Sequence, residues 1–394
     1  MGSSVSFRIG GIACMVLFSM ASTSSVDTPP AFGEPVAGLP ADLLDRFNEG
    51  KEEFESVETP AEGVGPVFND VSCATCHLVP SIGGGAARLE TRFGRTNADG
   101  SFDPMTEFGG SLIQENGIGP NLDCNYLAEV VPPEATIVAK RRTTPLFGLG
   151  LVDAVADSTF QAIAVEEGSN PDRIQGTVSM VPNIATGQQS VGKFGWKAQN
   201  PSLFQFSADA YVNEMGITSP QFADESCPQG DCDSLRCNPR PDMNDDGEDV
   251  QLFADFMKFL APPPRGPVTV SAALGELVFR SIGCVSCHRS VLRTAPNAVA
   301  ALDRKLIHPY SDFLLHEMGT LGDGITQNNA TGALMRTAPL WGLRKVTTYL
   351  HDGRATTLEQ AILAHDGQGK KARNRFASLG NGGKQLLYAF LNSL

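Results

Sequence analysis

Two short stretches of this sequence carry the same reactive side chains in the same order. Residues 71–77 read VSCATCH and residues 282–288 read IGCVSCH, so Cys73, Cys76 and His77 recur as Cys284, Cys287 and His288. A Cys-x-x-Cys pair serves as a redox couple, half of a zinc site or the anchor of a c-type haem. The histidine that directly follows separates these uses. Two thiols add across the two vinyl groups of a haem, and the adjacent imidazole then lies under the iron as its proximal ligand. Zinc would take the thiolates themselves and normally a second pair close by, whereas these pairs stand about two hundred residues apart. A thioredoxin-type pair belongs in a βαβ setting that the surrounding pattern lacks. Two covalently bound haem c groups are therefore expected, with His77 on the first iron and His288 on the second.

The elements that must hold these motifs are repeated too. Phe68 precedes Cys73 by five residues, as Phe279 precedes Cys284. RTTPLFGL at 142–149 returns as RTAPLWGL at 336–343, and LFADFMKFL at 252–260 returns as LLYAFLNSL at 386–394. Apolar spacing predicts helices over that last pair, over ADLLDRFNEGKEEF before the first motif and over SAALGELVFRSIG before the second. Each half reads as helix, haem motif, long loop-rich middle and closing helix. The expected fold is mostly α and loop-rich with few short strands, built as two cytochrome c-like haem domains. The N-terminal domain spans 22–260 with a long insertion, APPPRGP at 261–267 is a stiff linker, and the C-terminal domain spans 268–394.

Composition bounds the partners. Thirty Lys and Arg against 44 Asp and Glu give a net charge of -14, which argues against nucleic acid and permits a basic protein partner. The N-terminus offers Arg8, an apolar run from Ile9 to Met20 and a small-x-small site at Ser19–Ala21, so residues 1–21 are expected to be a secretory signal peptide, with an uncleaved anchor as the alternative. No later run approaches the ~20 apolar residues of a membrane span. The expectation is a periplasmic or otherwise exported protein with no stable membrane span. Cys14 lies inside the signal; Cys124, Cys227, Cys232 and Cys237 remain after the haem anchors. In an exported chain these four are expected to form disulfides, by any of three pairings. DMNDDGED at 242–249 has the opening of a calcium loop, but its twelfth position is Phe253, which breaks the pattern.

With its two haem motifs, its repeated RT-x-PL segment and LHDGRATTLEQAILAH at 350–365, the chain resembles the di-haem oxidoreductases, peroxidase-like proteins also called thiol oxidoreductases. HPYSDFLLHEMG at 308–319 and GKFGWKAQNPSL at 192–203 share in the likeness, which covers nearly the whole mature chain. Behind this family stand the bacterial di-haem cytochrome c peroxidases and the di-haem enzyme that matures methylamine dehydrogenase. The resemblance implies one haem that meets peroxide and one that relays electrons. It places a sixth iron ligand after the HDGR segment, where this chain has His365, implying a bis-histidine second iron. The aligned position in the first half is Glu166, a poor sixth ligand. The first iron is thus expected to be open, with Glu166 or Glu167 as distal base and Gln161 as hydrogen-bonding partner. As plain structure, the same acids would end an exposed helix. Met215 is the rival sixth ligand that would close the first iron. Trp196 or Trp341 would carry electrons between the haems, and a calcium ion would take backbone oxygens of Thr337 and Pro339.

The functional expectation is an oxidoreductase enzyme of the di-haem peroxidase kind. Peroxide or a similar small oxidant is reduced at the N-terminal haem, and the C-terminal haem relays electrons from a small redox protein such as a cytochrome c. The alternative is a di-haem electron-transfer protein with no substrate of its own.

Overall fold

The computed structural model describes residues 1–2 and 29–394. The expected signal peptide, apart from its first two residues, lies outside the described residues. Helix makes up 33% of the described residues and strand 16%, so the fold is loop-rich and mixed, and the expectation of a mostly helical protein is corrected. The reason is local: 41 glycines and 26 prolines interrupt regular elements, leaving short helices and two- or three-stranded sheets.

In chain order the helices are α1 (Ala41–Glu55), α2 (Cys73–Cys76), α3 (Leu149–Asp153), α4 (Asp157–Glu167), α5 (Leu203–Ala210), α6 (Glu248–Phe259), α7 (Val270–Ser281), α8 (Leu358–Leu363), α9 (Lys370–Ala377) and α10 (Asn381–Leu391). The longest strand pairing is antiparallel, Leu89–Thr96 against Ile137–Arg142, with Leu89 opposite Arg142 and Gly94 opposite Ile137.

Two helix pairs frame the haem motifs. In α1 the buried residues Phe47, Gly50 and Phe54 fall on one face and pack on α6, with Phe54 and Phe256 at 4.9 Å between ring centroids. In α7 the buried Ala272, Gly275 and Phe279 pack on α10, with Phe279 and Phe390 at 5.2 Å. A Cβ on Gly50 would overlap the Leu252 carbonyl, and one on Gly275 the Leu386 carbonyl. Leu252 and Leu386 are the first residues of the repeated closing segments, so each half crosses its two helices at a glycine. α7 is capped by Thr269, whose Oγ1 accepts from Ala272 N at 3.1 Å. α6 stops ahead of Pro262–Pro264, which cannot continue a helix.

The crossing also corrects the repeat. Phe54, not Phe68, is the counterpart of Phe279: Phe54 lies 5.7 Å from the His77 ring and Phe279 6.3 Å from the His288 ring. Phe68 sits in a short strand paired with Asn116–Gly117.

The largest apolar core joins Phe47, Phe160, Val191 and Phe256 to Leu292, Ile307, Phe313 and Leu314, residues from both sides of the 261–267 segment. α4 and the loop after it lie along the C-terminal half: Phe160 meets Phe313 at 6.3 Å, Asn170 Nδ2 donates to Ser286 Oγ at 3.2 Å, and Asp172 pairs with Arg375. The four remaining cysteines form Cys124–Cys237 and Cys227–Cys232. The first closes a span of 113 residues, a constraint that the chain-entropy view rates at about 4–5 kcal/mol.

Candidate functional site

Each Cys-x-x-Cys-His motif opens onto its own cavity. The first, of about 590 Å³, is lined by Cys73, Cys76 and His77 together with Phe54, Met215 and Met257. The second, of about 270 Å³, is lined by Cys284, Cys287 and His288 with Phe279, Leu387 and His365. The four motif thiols form no disulfide.

The tautomers follow from the hydrogen bonds. His77 Nδ1 lies 2.9 Å from Gly84 O, His288 Nδ1 2.9 Å from Tyr310 O, and His365 Nδ1 2.8 Å from Ala361 O. A carbonyl only accepts, so Nδ1–H is the donor in all three rings and each Nε2 keeps its lone pair for a metal. Burial holds the rings neutral: His77 is pushed down to about 4, and His288 likewise to about 4, with His365 adding to the effect. The His288 and His365 ring centroids are 6.4 Å apart across the second cavity. Two metal–imidazole bonds of about 2.0 Å, plus ~1.1 Å from nitrogen to ring centre at each end, fill that gap. That spacing would let His288 and His365 hold one iron between them.

Further observations fit haem. Arg336 is buried in the wall of the second cavity with no carboxylate partner among the described residues; its Nε donates to Gly195 O at 2.6 Å, and burial lowers it to about 10. Arg142 lines both cavities, pairs with Thr348 O and leaves Nε without a partner. Buried guanidinium groups of this kind are complements to the carboxylates of a haem. Trp196 lines both cavities, donates Nε1–H to Arg142 O at 2.8 Å and lies 6.2 Å from the His351 ring. Trp341 lines the second cavity only.

Calcium does not fit Thr337. Its carbonyl accepts from Ser311 Oγ at 2.7 Å and from the Arg336 guanidinium at 3.2 Å, leaving a positive charge where a cation would bind. Pro339 lines the second cavity. In the 242–249 loop, Asn244 Oδ1 accepts from Thr218 N and Asp246 Oδ1 from Glu248 N, both at 3.1 Å, so these oxygens hold backbone.

The expected distal residues lie elsewhere. Gln161, Glu166 and Glu167 do not line the first cavity. Gln161 is exposed, and Glu166 is 64% exposed and pairs with Arg289 at 3.0 Å. Glu167 is buried beside the second motif: its Oε2 accepts from Gly176 N at 2.7 Å, and burial, then Asp312, pushes it up to about 7. The alignment misplaced them because α4 packs Phe160 and Ile163 into the shared core and leads onto the C-terminal half.

The first cavity has its own acids, which the sequence reading missed. Glu214 and Met215 both line it, from a π-helical turn, Tyr211–Met215. Glu214 Oε2 accepts from Asn69 Nδ2 at 2.8 Å, four residues ahead of Cys73. Burial, then the neighbouring Glu90, pushes Glu214 up to about 7. Glu90 is held low: burial would raise it, but Arg92 and Arg141 overcome this, Arg92 Nε donating to it at 3.0 Å. The cavity therefore holds one carboxyl that keeps its proton near neutrality beside one that stays ionised. The only hint in the sequence was the acid directly before Met215.

No curated protein matches the chain. Among solved structures it is similar to a hydrazine synthase chain of Kuenenia stuttgartiensis (13% identity, 97% of this chain and 100% of that one, TM-score 0.38). It is also similar to a MauG-like protein associated with microbial copper homeostasis (15%, 94% and 95%, TM-score 0.41) and to the diheme peroxidase BthA of Burkholderia thailandensis E264 (14%, 90% and 86%, TM-score 0.39). A family model described as "Di-haem oxidoreductase, putative peroxidase" matches residues 123–394, a stretch that includes the second motif, His365 and the repeated RT-x-PL segments. The chain belongs to the di-haem oxidoreductase family.

Proposed function

We propose that this protein is an exported peroxidase-like enzyme that reduces a small oxidant, hydrogen peroxide in the simplest case, at the haem held by Cys73, Cys76 and His77. Electrons would enter at the haem held by Cys284, Cys287, His288 and His365. The two cytochrome c-like units would divide at 261–267. The observation that carries this reading is the asymmetry of the cavities. His365 faces His288, whereas no second histidine among the described residues lines the first cavity, which instead has a half-buried carboxyl pair, Glu90 and Glu214.

The haem irons would supply the electron transfer: two electrons and two protons convert one peroxide to two waters. The chain's own residues manage position and protons. Gly84 O and Tyr310 O orient the proximal rings. Glu214, working close to neutrality, is suited to take a proton from one peroxide oxygen and return it to the other. Glu90, kept ionised by Arg92, makes Glu214 the member that gains and loses the proton. Trp196, against both cavities, is the natural route between the haems.

A second reading, a di-haem electron carrier with no substrate, draws on Met215, whose buried side chain lines the first cavity. Low-temperature EPR of the ferric protein, repeated after one electron equivalent, separates the two. A high-spin signal beside a low-spin bis-imidazole signal in either state, followed by peroxide turnover, supports the enzyme. Two low-spin irons in both states would overturn it and favour Met215 as ligand.

A further inference from the structure

Charge is distributed unequally along this chain. Residues 268–394 hold 14 Lys and Arg against 8 Asp and Glu, a net charge of +6, whereas residues 1–267 hold 16 against 36, a net charge of -20. The second motif lies in the positive part. α9, with sequence KKARNRFA, carries four cations and no acid, and its Ala372 and Arg373 form part of the wall of the second cavity. Asp172 and Asp366 answer some of this charge, and the helix with both carboxylates still carries +2. Arg375 reaches the attachment turn itself, donating to Ile282 O at 3.4 Å, two residues before Cys284.

We propose that the cationic face of α9, at the wall of the second cavity, is the docking surface of an acidic redox protein that delivers electrons to the second haem. The proposal rests on the reading of that haem as the electron entry. Net charge alone had suggested a basic partner; the local charge reverses this for the haem that matters. Opposite charge on a cleft raises encounter rates about ten- to a thousandfold at low ionic strength. The negative first 267 residues would turn the same acidic partner away from the first haem. They would also repel an extended polyanion, which a compact protein seated on the C-terminal part alone avoids. In each encounter one electron passes from the carrier's ferrous iron, which becomes ferric, to the ferric iron of the second haem, which becomes ferrous.

The test uses one carrier in two charge states: a basic cytochrome c and the same protein succinylated on its lysines, hence acidic. Affinity for the holoprotein is measured by titration calorimetry at about 10 mM and again at about 150 mM ionic strength, and reduction of the low-spin haem is followed by stopped flow. The expected result is affinity about tenfold or more higher for the succinylated carrier at low salt, largely lost at high salt. Lys370→Gln with Lys371→Gln should weaken it several-fold, while reduction by uncharged hydroquinone stays unchanged. Tighter binding of the basic carrier, or affinity indifferent to the two lysines, would overturn the proposal. If the acidic carrier binds and reduces as expected but supports no peroxide turnover, the docking surface stands and the peroxidase reading falls.

Discussion

Glu214→Gln tests the site most directly. The substitution keeps the size of the side chain, and the glutamine oxygen can still accept from Asn69 Nδ2, now 2.8 Å from Glu214 Oε2. What it removes is the exchangeable proton. A positioned acid–base group contributes about 10²–10⁴ to rate, so kcat/KM for peroxide should fall by that factor, equivalent to ~3–5 kcal/mol of barrier. The pH profile carries more information. Glu214 is pushed up to about 7 from the usual 4.5 by burial and then by Glu90. The ionised form is the one that takes the proton, so kcat/KM of the native protein should climb through neutrality. At pH ~6 it should stand at roughly a tenth of its plateau, one pH unit being one factor of ten in the ionised fraction. In the glutamine variant this limb should vanish. The assay is steady-state peroxide reduction across pH, with EPR of both haems as a control for intact attachment. Activity within threefold of native with the neutral limb unchanged would refute the role of Glu214.

Three other outcomes follow from the same geometry. His365→Ala should convert the low-spin signal of the second iron to high spin and recover it on adding imidazole; an unchanged spectrum would mean that His365, at 6.4 Å from His288, is not the ligand. Gly275→Ala should force α7 away from the Leu386 carbonyl and cost ~1–3 kcal/mol, read as a lowered melting temperature, and Gly50→Ala should do the same at Leu252. Glu225 is raised by burial from 4.5 to about 8, with Oε1 unpartnered. A raised carboxyl stabilises the native state below the unfolded value and loses that contribution as pH climbs through the folded one. Stability should therefore fall from pH ~5 to ~8, and Glu225→Gln should remove ~2 kcal/mol of that fall, roughly half the unscreened ~4–5 kcal/mol because the side chain is partly exposed to solvent; a parallel pH curve for the variant would contradict it.

The parts of this protein that were legible from its sequence share one property: their meaning is local. The Cys-x-x-Cys-His motifs are contiguous because the thiols and imidazole must reach one group from one turn. The closing helices could be read from apolar spacing, and their repeat survives in the crossings of Gly50 on Leu252 and Gly275 on Leu386. His365 was expected from the segment after the HDGR motif, and α8 with its end places it in the wall of the second cavity. The lining of the first cavity was not legible. Glu90, Arg92, Glu214 and Asn69 come from strand, turn and loop separated by more than a hundred residues at the extremes, and no periodicity links them. Alignment of the halves pointed instead to Glu166 and Glu167, because it assumed that equivalent segments serve their own haem. Tertiary packing decided otherwise: burying Phe160 and Ile163 in a core shared by both halves sends the end of α4 to the second motif. Charge followed the same division. The net -14 of the chain is a property of its composition, but which Cys-x-x-Cys-His motif lies beside a positive surface depends on where α9 comes to rest.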